Sequence, residues 1–146
     1  MPKHIWSVIC RKGSIDSETN LISLLDVLER IDVAIEKTEG VSELPKSGGI
    51  LLPFEAELVS FFTCDPREES EVITEFLNPN GQILLAETHK LKVKAGDKRV
   101  RSKLKLSNLP VNKSGAYIFK VSIKDTSSNK ALIVAEIPLD IEIIFK

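Results

Sequence analysis

The chain is poor in cysteine, histidine and aromatic rings. Cys10, Cys64, His4 and His89 are its whole supply of thiols and imidazoles among 146 residues. They are scattered and form no Cys-x-x-Cys pair, so neither a zinc site nor a redox dithiol is expected. The two thiols read instead as small apolar side chains in a reducing compartment, where a disulfide would not persist. Aromatic residues are 5% of the chain, with one Trp and one Tyr. Nucleic-acid platforms stack bases on exposed rings, and so few rings argue against one.

Long hydrophobic runs are missing too. Ala131–Ala135 is the longest apolar stretch and Ile50–Leu52 a shorter one, against the ~20 residues that a bilayer-spanning helix needs. Met1–Trp6 holds one Lys before a short apolar alternation and no cleavable leader pattern, so the expected location is the cytoplasm. Enzyme signatures are likewise missing: no Gly-x-Ser-x-Gly elbow, no phosphate-cradling Gly-rich loop ahead of a helix, no His-Glu-x-x-His. Ser14 and Ser47 sit in turn-like Gly-containing stretches without a neighbouring His. Cys64–His89 is a dyad that folding would have to assemble. His4 and Cys10 stand about 20 Å apart along an extended strand, too far to meet. No cofactor is expected.

What is present is a globular composition. Apolar residues make up 42% and charged residues 28%, with a net charge of −1, which fits a single domain over residues 1–146. Most segments alternate with period two, the signal of strands with one buried and one wet face. Tyr117, Phe119, Val121 and Ile123 point one way, and Lys120, Ser122 and Lys124 the other. Leu139, Ile141, Ile143 and Phe145 alternate against Asp140 and Glu142. Asn78-Pro79-Asn80-Gly81 and Thr126–Asn129 read as turns between strands. Lys12-Gly13-Ser14 and Asp16–Asn20 read as interruptions of the N-terminal region, and Pro138 as an edge, a bulge or a crossing between sheets. Residues 37–49, with three glycines and Pro45, read as a flexible loop.

One segment is ambiguous. Leu21, Leu24, Leu25, Leu28 and Ile31 follow helical spacing, with Thr19 or Asn20 as a cap. Read as a strand, Leu21, Leu25, Val27 and Ile31 share a face.

Several motifs occur in a recognisable order: Ile9-Cys10-Arg11, Asp16-x-Glu18-Thr19-Asn20, Leu52-Pro53-Phe54-Glu55, Asn78-Pro79-Asn80-Gly81, Gly115-Ala116-Tyr117-Ile118-Phe119 and Ala135-Glu136-Ile137-Pro138-Leu139. This order resembles a family of small bacterial β-sandwich proteins of unknown function. The resemblance implies that the stretch after Thr19-Asn20 is a strand, and it brings no catalytic residue. The expected fold is all-β: an antiparallel β-sandwich, immunoglobulin-like or C2-like, of roughly seven to nine strands with little helix.

Charge is segregated. Lys90, Lys92, Lys94, Lys98, Arg99, Arg101, Lys103 and Lys105 share sixteen residues with one acid, Asp97, a local net of +7 that leaves −8 elsewhere. Lys90, Lys92, Lys94, Arg99, Arg101, Lys103 and Lys105 are the candidate anion-binding residues, for nucleic acid or a phosphorylated headgroup. If the two alternating rows pair through residues 95–98 they merge into one strip. If the chain crosses between sheets there, they part. The ordinary reading of the same lysines is a solvated face that resists edge-to-edge aggregation. Asp65, Glu68, Glu69 and Glu71 form an acidic counterpart, and the opposed patches suit self-association. Asp16, Asp65 and Asp125 are the carboxylates that loop-end calcium binding would use, though Asp16–Asn20 lacks the glycine and distal glutamate of an EF-hand loop. The sequence therefore points to a non-catalytic binding or scaffolding module with a protein partner. Anion binding, or an unrecognised small hydrolase or metal enzyme, are its alternatives.

Overall fold

The structure, a computed structural model, describes residues 2–35, 50–65, 69–94 and 96–145. The expected loop at 37–49 lies outside the described residues. Among these the chain is all-β, with nine strands and no helix. They are β1 (Lys3–Ile15), β2 (Ile22–Val27), β3 (Arg30–Ile35), β4 (Ile50–Thr63), β5 (Ser70–Leu77), β6 (Ile83–Lys90), β7 (Arg99–Val111), β8 (Gly115–Asp125) and β9 (Ala131–Phe145). A four-stranded sheet runs β2-β1-β4-β7 and a five-stranded sheet runs β3-β9-β8-β5-β6. All pairings are antiparallel except β3 with β9. That parallel pair departs from the wholly antiparallel expectation.

The period-two faces fold as their spacing requires. Tyr117, Phe119, Val121 and Ile123 are all fully buried, as are Leu139 and Ile141 of β9. They share one core with Ile9, Leu58, Phe62, Leu106 and Leu109 of the other sheet. Phe76 packs on Tyr117 and Phe119 with ring centroids 5.2 and 4.7 Å away, close enough to add aromatic attraction to area burial. The Asn78–Gly81 turn closes β5 on β6, its Asn78 carbonyl accepting from Gly81 N at 2.9 Å. Gly115, at φ +147°, opens β8 beneath this turn, where a Cβ would stand 2.7 Å from Pro79 Cγ.

The ambiguous segment is extended, and its faces differ from the simple strand reading. β2 pairs with β1, then Leu28 N donates to Ile9 O and Glu29 O accepts from Asp140 N, which carries the chain into β3 beside β9. One run of sequence thus serves both sheets. Asp26 takes φ +53° just before the switch. Leu25 and Val27 are left exposed while Leu28 and Ile31 pack against the core. The helical spacing reflects this change of sheet. Pro138 sits on β9 just before the stretch that β3 pairs, so no β3 bond needs its missing N–H.

β1 runs unbroken through Lys12-Gly13-Ser14, against the expected interruption. The β1–β2 hairpin also lies against β4 and β7. Gly13 sits where a Cβ would be 3.2 Å from Val59 Cγ2, so glycine permits the close approach. Cys10 and Val59 are fully buried here, outside the main core cluster.

Candidate functional site

β6 ends at Lys90, and the chain leaves the five-stranded sheet. Leu91 is buried and its N–H reaches Ser70 O at 2.9 Å. A turn follows, with Asp97 N donating to Lys94 O at 3.0 Å, and β7 enters the other sheet at Arg99. The regular alternation of Lys90, Lys92 and Lys94 therefore lies mostly in a crossover, not a strand. The two basic rows do not pair.

The β7 row divides further. Arg101 Nη2 donates to Asn20 O at 2.8 Å, binding β7 to the tip of the β1–β2 hairpin. Lys103 Nζ donates to Gly13 O at 3.0 Å and lies 3.3 Å from Glu57 Oε2. These two cations serve the fold. Lys90, Lys92, Lys94 and Lys105 are exposed, Arg99 is exposed at the start of β7, and none of the five forms an ion pair among the described residues.

Lys105 stands opposite Glu57 in the β4–β7 register, and Cys10 stands opposite it from β1. Beyond Cys10 the β1–β4 pairing stops, and the β4–β7 register shifts between Pro53 and Ala56. A cleft of about 330 Å³ opens there, lined by Arg11, Lys12, Glu55, Glu57, Lys105 and Ser107, with Ala56 and Leu106 below. Glu57 is 8% exposed, and its Oε2 is shut off from solvent beside Gly13, ion-paired with Lys103 at 3.3 Å. A second cleft of about 440 Å³, between β3 and the start of β4, is lined by Leu28, Ile31, Val33, Leu52 and Phe54 under a rim that includes Arg30 and Asp32.

Both histidines meet serines. His4 Nε2 lies 2.7 Å from Ser7 Oγ, and Ser7 Oγ lies 2.7 Å from Ser60 Oγ. Ser60 is the register partner of Ser102, whose Oγ lies 2.5 Å from His89 Nε2. Three serines on β1, β4 and β7 therefore form a row with an imidazole at each end. Burial lowers the pKa of both rings below the ordinary value, and Glu87 opposes the effect at His89. His89 Nδ1 is buried without a hydrogen-bond partner. Among the described residues no carboxylate bonds to that ring, which a nucleophile–base–acid arrangement would need.

The loop carboxylates cap their own turns. Asp16 Oδ1 accepts from Glu18 N at 2.8 Å and Thr19 N at 3.0 Å. Asp125 accepts from Ser127 N and Oγ and from Ser128 Oγ. These bonds hold both carboxyls below the usual aspartate range. Among the described residues no three His, Cys, Asp or Glu side chains gather as a metal would require. No helix among them is long and apolar enough to cross a membrane.

Sequence reasoning passed over Glu57 and Ser102, and read Asn20 only as a cap and a motif residue. Glu57 gave a misleading signal: in Phe54-Glu55-Ala56-Glu57-Leu58 the acids alternate with apolar residues, the pattern of a solvent-facing row. Asn20 and Ser102 carried none.

A scan against protein-family models finds no match, and a search of curated proteins finds none either. Among solved structures the chain is similar to the N-terminal domain of PorA, at 12% identity and a TM-score of 0.27, over 94% of this chain and 97% of that one. The small all-β chain is of the kind that the family resemblance implies.

Proposed function

We propose that the protein is a non-catalytic cytoplasmic binding module of immunoglobulin-like sandwich layout, which holds an anionic partner on its β6–β7 crossover. Two features support the layout. Tyr117, two residues into β8, accepts from Asn112 N and Lys113 N and donates to Lys113 O at 2.7 Å, the pattern of a tyrosine corner. The chain also divides between two sheets, with β8 central in the larger one beside β9 and β5.

The observation that carries the binding reading is the fate of the basic residues. Arg101 and Lys103 are engaged inside the fold, whereas Lys90, Lys92, Lys94 and Arg99 stand exposed around the crossover without a carboxylate partner among the described residues. Unpaired cations close together along an exposed crossover release counterions when they meet a polyanion, and that release drives association. The non-catalytic reading rests on the histidines, each held against a serine hydroxyl, with no orienting acid bonded to either ring among the described residues.

Retention on heparin tests the proposal. The protein is expected to bind at low salt and to elute at a salt concentration that drops sharply when Lys92, Lys94 and Arg99 are changed together to Glu. Absence of retention at low salt, or unchanged elution of the triple variant, would overturn it.

A further inference from the structure

Two of the chain's few aromatic rings stand together on the outer face of the four-stranded sheet. Trp6 on β1 is the register partner of Phe61 on β4, and their rings stack with centroids 5.9 Å apart and planes 28° from parallel. The neighbours of Phe61 along β4, Ser60 and Phe62, turn to the interior and are buried, whereas Trp6 and Phe61 are part-exposed. From β7, Arg101 is the register partner of Phe61. Its two hydrogen bonds go to the neutral oxygens of Asn20, so they leave its charge uncancelled. The next row of the same face, about 7 Å along the strands, is Lys3, Thr63 and Arg99, with both cations exposed. Arg99 is also where the β6–β7 crossover enters this sheet. The stacked pair is thus continuous with the basic crossover, and neither row contains a carboxylate.

Cations alone hold any polyanion, and rings alone mark only an apolar patch. Together on one sheet face they meet both chemistries of an unpaired strand, its phosphates and its open base faces. A duplex keeps those faces stacked inside, where a sheet surface does not reach them. We infer that the Trp6–Phe61 face binds single-stranded nucleic acid, with a base stacked on the ring pair and the adjacent phosphates on Lys3, Arg99 and the crossover lysines. This rests on the polyanion reading of the crossover and names the class of polyanion.

Trp6 is the one tryptophan of the chain, so its fluorescence reads the site directly. Saturating oligothymidylate at low salt is expected to quench it. Heparin, which has no bases, and a DNA duplex of the same length are expected to bind without quenching. Anisotropy of a labelled oligothymidylate measures affinity in each variant, and circular dichroism checks that each keeps the wild-type fold. Phe61→Leu and Trp6→Leu are each expected to raise the Kd about tenfold, as the loss of one base stack implies. Trp6→Phe keeps a ring and is expected to raise it less. Heparin elution of all three is expected to match wild type. Oligothymidylate binding without quenching, an unchanged Kd in both leucine variants, or equal quenching by heparin would overturn the inference while leaving the polyanion reading in place. Failure of heparin and oligothymidylate alike to bind at low salt would overturn both.

Discussion

His89 on β6 and Ser102 on β7 meet across the seam between the two sheets, Nε2 to Oγ, although their strands belong to different sheets. The ring's other nitrogen is buried and unpartnered, so this bond suits the neutral imidazole and leaves a second proton without an acceptor.

Acid is therefore expected to loosen the seam. The folded His89 titrates below its unfolded value because burial disfavours the charged ring. The unfolded chain takes up protons first as pH falls, so the contribution is complete above about pH 6.5 and is lost through the window just below it. His4 adds to the same slope, its pKa lowered by the same cause. Urea midpoints measured from about pH 7.5 down to about pH 5 are expected to fall, and His89→Gln to flatten that fall. Asp16 and Asp125, whose pKa values are depressed, act only at still lower pH.

Tyr117→Phe removes a hydroxyl that serves two backbone N–H groups and one carbonyl at the β7–β8 corner. Leaving those groups unpaired at a buried position is expected to cost about 1–3 kcal/mol. Chemical denaturation of the variant should show it with an unchanged m-value.

Gly115→Ala places a methyl where Pro79 Cγ would be 2.7 Å away, on a backbone at φ +147°. Overlap and strain together are expected to destabilise the chain by about 1–3 kcal/mol, read as a lower Tm. Gly81→Ala, where nothing lies within 4 Å of the added carbon, separates overlap from strain, because its positive φ carries only the second.

Lys103→Met leaves Glu57 without its cation. Truncating one partner of a fully buried pair costs about 3–5 kcal/mol, and the partial exposure of Lys103 brings the expectation down to about 1–3. Adding Glu57→Gln to Lys103→Met is expected to recover much of the loss, since the remaining wall group is then neutral. A double-mutant cycle in urea measures it.

Cys10 has no exposed surface, and burial together with neighbouring Glu57 pushes its thiol pKa up. In a Cys64→Ser background it is expected to react with a disulfide reagent only as fast as the chain opens. Rapid labelling under native conditions would show that the β1–β2 hairpin lifts away from β4.

The elements that the sequence made legible are those in which neighbours along the chain are also neighbours in space. The faces of β8 and β9 follow from period-two alternation, because a pleated strand turns successive side chains to opposite sides. The Asn78–Gly81 turn follows from local chemistry. Leu21–Ile31 misleads for a physical reason: its apolar spacing serves two sheets in succession, and no single local period describes a strand that changes partners.

The candidate site was only half visible. In one dimension Arg101, Lys103 and Lys105 are three equivalent members of an alternating row. Folding separates them, because the β1–β2 hairpin meets β7 and gives Arg101 the Asn20 carbonyl and Lys103 the Gly13 carbonyl, while Lys105 faces a cleft. By itself the sequence determined strand faces, turns and the amount of positive charge, all properties of residues a few positions apart. Tertiary structure decided which charges stay free, which acid is buried and which serine each histidine finds, because those depend on contacts between strands distant along the chain.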